Sequence, residues 1–427
     1  MLVVGRAHLV ARALTAGPPA ISADGRFVAF VSDSDTLVDG DENGSADVFV
    51  RDTLDERTVL VSRSLSGGSA TGYSVQPSIS AGGEVVAFTS SAPDLVEADS
   101  NGTLDVFVHD LRTGRIELVS RGSNGELGDR DSFSPSLSAD GRYVAFSSLA
   151  SNLDPRDRNE APDIYRHDRV TRKTILISVS SAGMVGDGAS VQPSVSADGQ
   201  VVAFTSLAAN LDPDDGNGEA DVFVRDLRAG TTELISRGLD GHAAGGASSE
   251  PVLSADGRVV AFTSAAPDIV PGDENGSDDV FARSLDDGGV RVVSATPEGR
   301  SATGDSHSAS ISADGRRVAF LSDAEDLTGG TDTSAAAAGA DHAFLRDLGG
   351  AGTALVGFAA GRVPGDGEST SVAVSGSGSH VAFTDSSTNL AGRPGSDGAE
   401  HLYVTPLRTA RVPRRSDQTD DPPPETV

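Results

Sequence analysis

SADGRYVAF, residues 138–146, is the stretch that decides the fold, because the chain repeats it. The first six copies are spaced by 58 residues, and the last gap is 63 residues because of the insertion AAAAG at 335–339. Similar strings begin at Ser22, Ser80, Ser196, Ser254 and Ser312, and a weaker copy, SGSGSHVAF, begins at Ser375. Repetition at a fixed period indicates an array of similar structural units, which here covers nearly the whole chain.

Each unit reads as four short strands. In unit 2 these are PSIS (77–80), VVAFTS (85–90), DVFVHD (105–110) and RIELVS (115–120), which we call strands a, b, c and d. Tight Gly-containing turns separate a from b and c from d, as in β-hairpins. Val, Ile and Phe dominate the strands, and no stretch shows a convincing helical period. The unit is therefore predicted to be a four-stranded antiparallel sheet.

Seven such units predict an all-β fold, a seven-bladed β-propeller of four-stranded antiparallel blades. The propeller should span residues 1–412, and its blades should start near residues 19, 76, 134, 192, 250, 309 and 371. Unit 7 lacks a good strand d, and residues 7–13 resemble that strand in other units. We expect this N-terminal strand to complete blade 7 and hide its edge. Residues 413–427, rich in Pro and Asp, are predicted to be disordered.

Aromatic residues follow the same period and predict the core. Fourteen of the nineteen aromatic residues fall at one position in strand b or one position in strand c. We expect them to pack between blades, and the Ala before each strand-b Phe to let neighbouring sheets approach. The strand-b residues are Phe30, Phe88, Phe146, Phe204, Phe262, Phe320 and Phe383. The strand-c residues are Phe49, Phe107, Tyr165, Phe223, Phe281, Phe344 and Tyr403.

Composition limits the partners and the chemistry. The formal net charge is -30, so the chain should repel nucleic acid and anionic membrane surfaces and attract cations or basic partners. It has no Cys, which excludes a disulfide framework, a thiolate metal site and a Cys nucleophile. No apolar run is long enough for membrane insertion. The N-terminal apolar stretch is interrupted by Arg6 and Arg12, unlike a clear signal peptide, although we favour a location outside the cytoplasm. We expect a monomer.

The loop between strands b and c of unit 1, DGDENGSAD (39–47), is a candidate calcium site. Its oxygen-bearing side chains alternate before a strand, and calcium takes six to eight such oxygens. The arrangement resembles calcium loops of integrin-type propellers, whereas an EF-hand would need Glu where Val50 stands. The candidate ligands are Asp39, Asp41, Asn43 and Asp47 in unit 1, and Glu97, Asp99, Asn101 and Asp105 in unit 2. The cofactor hypothesis is therefore that none is required and that calcium is the metal the loops could hold.

The same pattern has a second interpretation as turn chemistry. Asp and Asn side chains accept hydrogen bonds from backbone N–H groups two residues on, and Asn-Gly favours a tight turn. Units 3, 4 and 5 keep the later Asp, Asn and Asp but begin with Pro155, Pro213 and Pro271, which have no side-chain oxygen. A turn would need only the residues that all five units share, so both interpretations stay open.

The strand pair of the PSISADGRYVAF type, for example PSLSADGRYVAF at 135–146, is followed by a strand and turn such as DVFVHDLRTG at 105–114, and this arrangement resembles the TolB-like and WD40-like propeller repeats of bacterial proteins. The resemblance covers roughly residues 8–410. It implies the propeller fold, whereas proteins of this type include both interaction modules and propellers joined to hydrolases. The fold alone therefore does not imply an activity.

Three functions follow as hypotheses. The first is a non-enzymatic scaffold that binds a protein or carbohydrate through the face with the long b–c and d–a loops, with the partner over units 1–5. The second is a hydrolase or lyase at the central pore, although the sequence has no G-x-S-x-G motif and no single catalytic residue stands out. The third is a calcium-dependent surface module.

His109 and His167 are expected at solvated strand ends, and His242 and His307 in d–a loops.

Overall fold

The computed structural model describes residues 2–12, 17–328, 339–350, 352–359, 363–390 and 399–409. These residues form seven antiparallel sheets, and no helix occurs in the described ranges. The predicted seven-bladed, all-β propeller is confirmed. The predicted tail, 413–427, lies outside the described residues.

The strands follow one another blade by blade. The chain begins with β1 (Leu2–Val4) and β2 (His8–Arg12). Blade 1 contains β3 (Ala20–Ile21), β4 (Phe27–Ser32), β5 (Asp47–Asp52) and β6 (Arg57–Leu60). Blade 2 contains β7 (Ser74–Ile79), β8 (Val85–Ser90), β9 (Asp105–Asp110) and β10 (Arg115–Leu118). Blade 3 contains β11 (Ser132–Leu137), β12 (Tyr143–Ser148), β13 (Asp163–Asp168) and β14 (Lys173–Leu176).

The second half of the ring repeats this order. Blade 4 contains β15 (Ser190–Val195), β16 (Val201–Ser206), β17 (Asp221–Asp226) and β18 (Thr231–Leu234). Blade 5 contains β19 (Ser248–Leu253), β20 (Val259–Ser264), β21 (Asp279–Ser284) and β22 (Val290–Val292). Blade 6 contains β23 (Ser306–Ile311), β24 (Arg317–Ser322), β25 (His342–Asp347) and β26 (Thr353–Leu355). Blade 7 contains β27 (Ser369–Val374), β28 (His380–Asp385) and β29 (His401–Thr409).

Strand a of each blade is the innermost. Within a sheet the strands lie in the order a, b, c, d, and the a strands of successive blades contact one another around the whole ring, including β27 with β3. The a–b and c–d connections are short turns at one face. The long b–c and d–a connections lie at the other, which we call the loop face.

The SADG turns join the blades at the face opposite the loop face. Ser22 hydroxyl accepts the Phe27 N–H at 2.9 Å, and Gly25 has the positive φ of 84° that the turn requires. The backbone N–H of each turn donates to the corresponding carbonyl of the next blade. These bonds run from residue 23 to 81, 81 to 139, 139 to 197, 197 to 255, 256 to 313, 313 to 376 and 377 to 23. The repeated motif therefore forms both a hairpin and a closed ring of hydrogen bonds.

The aromatic pairs form the core between blades, as predicted. Each strand-b ring stacks on the strand-c ring of its own blade, with centroids 5.5 to 6.0 Å apart. All fourteen side chains are buried. Phe88, for example, lies in one cluster with Ala29 of blade 1, so the small residue makes room for the next blade's ring.

Blade 7 is closed from both ends of the chain. β2 pairs antiparallel with β29, with His8 opposite Val404 and Arg12 opposite His401, which confirms the predicted N-terminal closure. The structure adds β1, which pairs with the end of the same strand. β1 ends at Val4 and β2 begins at His8, and between them the Gly5 N–H donates to the Pro406 carbonyl at 2.8 Å. Blade 7 therefore has five strands, because β29 is long enough to hold two segments along one edge.

Candidate functional site

Asn43 and Asp47 of the predicted calcium loop hold the loop to its own blade. The Asn43 amide donates to Asp47 Oδ2 at 2.7 Å and to the Ala70 carbonyl at 2.7 Å, and its oxygen accepts the Ser45 N–H at 2.8 Å. Ser62 donates to the other Asp47 oxygen at 2.5 Å. The last two positions of the motif therefore connect the b–c loop to strand d and to the d–a loop.

The same set of hydrogen bonds among an Asn, an Asp and a Ser, which we call the loop lock, recurs in blades 2 to 5. In blade 2 Asn101 donates to Asp105 at 2.7 Å, and Ser120 donates to Asp105 at 2.5 Å. Equivalent triplets are Asn159, Asp163 and Ser178; Asn217, Asp221 and Ser236; and Asn275, Asp279 and Ser294. A structural role thus accounts for the Asn and the final Asp in all five loops.

The other candidate ligands differ in burial. Asp39 and Glu97 are exposed, Asp99 is half-buried, and Asp41 is buried with its Oδ1 lacking a hydrogen-bond partner in the described structure. Among the described residues, no group of three or more His, Asp or Glu side chains is placed to hold a metal ion. Calcium binding in these loops stays a prediction.

Burial changes the protonation of these carboxyls. Burial raises the pKa of Asp47 and of Asp105 to about 6, against the opposing effect of their Ser and Asn hydrogen bonds. Burial likewise raises the pKa of Asp163 to about 7, and neighbouring Asp157 adds to that shift. In these three loops the buried carboxyl therefore has a pKa well above its ordinary value of 3.8.

The two strand-c histidines are buried, which corrects the expectation of solvated strand ends. His109 Nδ1 lies 2.7 Å from the Val61 carbonyl of blade 1, and His167 Nδ1 lies 2.9 Å from Thr174 Oγ1. Burial lowers the pKa of His167 to about 4 and lowers that of His109. Arg225, at the same repeat position, donates to the Ser180 carbonyl of blade 3. At this position of strand c, His109 and Arg225 thus reach a carbonyl of the preceding blade, whereas His167 is held within its own blade.

A bulge in the innermost strands places polar side chains around the axis. Five consecutive blades have a non-Gly residue with φ between 52° and 56° near the loop-face end of strand a. Such backbone conformations are unfavourable by about 1–2 kcal/mol per residue, so neighbouring contacts must stabilise them. The five residues are Gln76, Ser134, Gln192, Glu250 and Ser308. Each of these five follows a register shift or irregularity in the a–b pairing.

These residues link neighbouring blades. Gln76 Oε1 accepts the Ser134 N–H at 2.9 Å, Gln192 Oε1 accepts the Glu250 N–H at 3.2 Å, and Glu250 Oε2 accepts the Ser308 N–H at 2.9 Å. The bulges have no local signal in the sequence, because Gln, Ser and Glu are not residues that predict a positive φ.

A charged group breaks the repeat at the pore mouth of blades 5 and 6. His307, in strand a rather than in a d–a loop, has Nε2 at 3.0 Å from Asp341 Oδ2 and Nδ1 at 3.0 Å from Ser308 Oγ. Next to it, Asp305 accepts the Asp278 N–H at 3.1 Å. We call Glu250, Asp278, Asp305, His307 and Asp341 the pore-mouth cluster.

The charges in the pore-mouth cluster act on one another. The hydrogen bond with Asp341 raises the pKa of His307. Burial raises the pKa of Asp278, and the charges of Asp305 and Glu250 add to that shift while His307 opposes it. Carboxylates that repel one another in this way favour a positively charged neighbour.

Comparison of the repeats identifies this cluster. The residue before strand c is Ala46, Leu104, Pro162 or Ala220 in blades 1 to 4. It is Asp278, Asp341 or Glu400 in blades 5 to 7. The His307 position is Val75, Phe133, Val191 or Ser249 in blades 2 to 5. The signal was thus present in the sequence, as departures from the repeat rather than as a motif.

No known protein-family profile and no curated protein matches the chain. In the part of the chain that the structure describes, no helix is long and apolar enough to cross a membrane.

Solved structures with the same architecture are similar to the chain. An oligogalacturonate lyase in complex with manganese matches it with a TM-score of 0.54 and 10% identity, over 96% of each chain. The β-propeller domain of the Trilobed protease from Pyrococcus furiosus matches with a TM-score of 0.53 and 11% identity, over 93% of this chain and 94% of that one. A TolB from Agrobacterium tumefaciens is 17% identical, over 66% of this chain and 80% of that one, with a TM-score of 0.41. At these identities the likeness shows the propeller fold alone.

Proposed function

We propose that the chain is a non-enzymatic binding scaffold that holds a positively charged group of a protein partner at the pore mouth. The observation that carries the proposal is the pore-mouth cluster, where acidic residues replace the apolar residues of blades 1 to 4 at the position before strand c. Its place over blades 5 and 6 differs from the expectation of a partner over units 1–5. The net charge of -30 would steer a basic partner towards this face.

The hydrogen bonds of His307 hold Asp341 in place at the pore mouth. The Nε2 atom of His307 contacts Asp341 and its Nδ1 atom contacts Ser308, both at 3.0 Å. The hydrogen bond with Asp341 raises the pKa of His307. A carboxylate–His–Ser contact is also the arrangement of a catalytic triad, so a hydrolase or lyase at the pore stays the alternative function.

Substitutions that restore the repeat test this proposal. Asp278→Ala gives blade 5 the residue of blades 1 and 4, and the double variant His307→Val with Asp341→Ala does the same for blade 6. The probe is the tripeptide Arg-Arg-Arg, titrated calorimetrically. Asp286→Ala is the matched control, because Asp286 pairs with Arg258 at 3.6 Å in the c–d turn at the opposite face. Weaker binding in the restored variants, with unchanged binding in the control, supports the proposal.

Calcium binding by the b–c loop of blade 1 is a second candidate. The observation in its favour is the buried Asp41 Oδ1, which has no hydrogen-bond partner in the described structure. Burial and the charge of Asp35 raise the pKa of Asp41, so a cation beside it would relieve an unfavourable carboxylate. The loops would then serve a calcium-dependent surface module.

A further inference from the structure

A cleft at the outer rim of blade 2 is positively charged in a strongly acidic protein. It has a volume of about 680 Å³, and residues of blades 1, 2 and 3 line it around β10. Two carboxylates, Glu97 and Glu117, face five arginines in this lining. The arginines are Arg63, Arg115, Arg121, Arg169 and Arg172. The lining therefore has a formal charge of +3 (five minus two), whereas the chain as a whole has -30.

Two of the arginines are used by the fold. Arg169 pairs with Glu117 and donates to the Gly141 carbonyl of the a–b turn in its own blade. Arg63 donates to the Gly67 carbonyl at 2.8 Å and so shapes its own loop. These contacts neutralise Glu117 and leave the charge of the cleft to the other arginines.

The remaining arginines have donors available. Arg115 lies 3.7 Å from Glu117, and its side chain is 68% exposed. Arg121 Nε is buried and has no hydrogen-bond partner in the described structure. Because this Nε has no accessible surface, an anion in the cleft would accept from the terminal N–H groups of Arg121, which lines the cleft.

The shape and chemistry of the lining indicate what would bind. A guanidinium presents paired N–H donors that match the two oxygens of a carboxylate or phosphate. Leu65, Val96 and Ile116 add aliphatic surface beside them. No Phe, Tyr or Trp is among the lining residues, and the two lining histidines, His109 and His167, are buried and hydrogen-bonded within the fold.

We propose that this cleft binds a small anion that carries carboxylate or phosphate groups, with Arg115 and Arg121 as its principal ligands. The site is independent of the pore-mouth cluster, since it lies on the outer strand of a different blade. It would give an acidic scaffold a second ligand class.

A second cleft provides an internal control. Beside β22 of blade 5 lies a cleft of about 610 Å³, lined by Arg291, Arg300 and Arg346. Arg346 is used by the fold, where it donates to the Ala295 carbonyl at 3.1 Å, and Arg291 donates to the Leu348 carbonyl at 2.9 Å. Arg291→Ala thus removes a rim charge of the same kind from a cleft in which two of the three arginines already have acceptors.

The test is calorimetric titration of the full chain with citrate and, separately, with pyrophosphate. At about 0.15 M salt the Debye length is about 8 Å, so the distant acidic surface is screened. We expect at least one probe to bind with one-to-one stoichiometry, and the pair distinguishes a carboxylate from a phosphate ligand. Arg115→Ala, at an exposed position, should weaken binding about tenfold. Arg121→Lys should have a similar effect, because lysine keeps the charge but lacks the paired N–H donors of the guanidinium.

The control variant, Arg291→Ala, shows whether the anion binds at the cleft of blade 2 or at the cleft of blade 5. Arg291→Ala should bind the probe as the unmodified chain does. The proposal is overturned if neither probe binds at millimolar concentration, if Arg115→Ala binds unchanged, or if Arg291→Ala loses binding to the same extent. Thermal melting of each variant checks that the fold is intact.

Discussion

Asp47 and Asn43 illustrate at the residue scale why one pattern supported two interpretations. Calcium coordination and loop locking both need oxygen-bearing side chains at alternate positions of a tight loop. What separates them is where the Asn amide points, and here it donates to Asp47 and to Ala70. The sequence contains no information on that direction, because the partner carbonyl comes from a different loop.

The buried carboxyls predict a pH dependence of stability. The pKa of Asp105 is raised to about 6 by burial, above its ordinary value of 3.8, so the folded state binds its proton more tightly than the unfolded state. Its contribution is therefore fully present below about pH 4 and is lost as the pH rises through about 6. Asp105→Asn should remove this dependence, which is on the order of 3 kcal/mol between pH 4 and pH 7.

Urea unfolding at several pH values measures this pH dependence of the unfolding free energy. The difference in unfolding free energy between Asp105→Asn and the unmodified chain should change with pH in that window. Comparison with the unmodified chain is needed because buried His167, whose pKa burial lowers to about 4, loses stability as the pH falls. A difference that stays constant from pH 4 to pH 7 would contradict the assignment.

Phe204 represents the fourteen core aromatic side chains. It is buried, stacks on Phe223 with centroids 6.0 Å apart, and packs in one cluster with Ala145 of blade 3. Phe204→Ala should lower the unfolding free energy by about 3–5 kcal/mol, because it removes apolar surface and leaves a cavity between blades. Leu54→Ala, at a residue 72% exposed, should change it by less than about 0.5 kcal/mol in the same denaturation experiment.

At the scale of elements, strands b and c of unit 2 were predicted at their observed bounds, Val85–Ser90 and Asp105–Asp110. Their ends coincide with turn residues that the sequence displays. Strand a was predicted too short: it begins at Ser74, before the bulge at Gln76. A bulge stabilised by contacts from the next blade has no local sequence signal, and the burial of His109 was missed for the same reason.

The closure of blade 7 predicts the effect of a truncation. Deletion of residues 1–12 removes both strands that pair with the outer edge of β29. The exposed edge should pair with other chains, so the variant should melt at a lower temperature and associate in a concentration-dependent manner. Deletion of 413–427, which the sequence predicts to be disordered, is the control. A variant lacking residues 1–12 that melts as a monomer at the original temperature would contradict this role.

The b–c loop of blade 1 allows a direct test of calcium. If Asp41 contributes to a site, millimolar calcium should raise the melting temperature of the unmodified chain, by mass action on the folded state. Asp41→Ala should abolish the increase, and magnesium is the control ion. A melting temperature that does not change with calcium would remove this candidate function.

At the scale of the whole molecule, the ring brings together residues that the repeat keeps far apart. Asp278 of blade 5 meets His307 and Asp341 of blade 6 only because blade 5 packs against blade 6. The propeller architecture followed from the period of the sequence. The pore-mouth cluster did not, because its signal is the loss of the repeat at single positions rather than a pattern that the units share.

The affinity of Arg-Arg-Arg for the unmodified chain and for the double variant, His307→Val with Asp341→Ala, decides whether the pore mouth binds a basic partner. We expect the unmodified chain to bind the tripeptide, and the double variant to bind it about tenfold or more weakly, since charge-assisted hydrogen bonds contribute about 1.5–3 kcal/mol each. Asp286→Ala should leave the affinity unchanged. Equal affinities of the unmodified chain and the double variant would contradict the proposal that the pore mouth is the binding site.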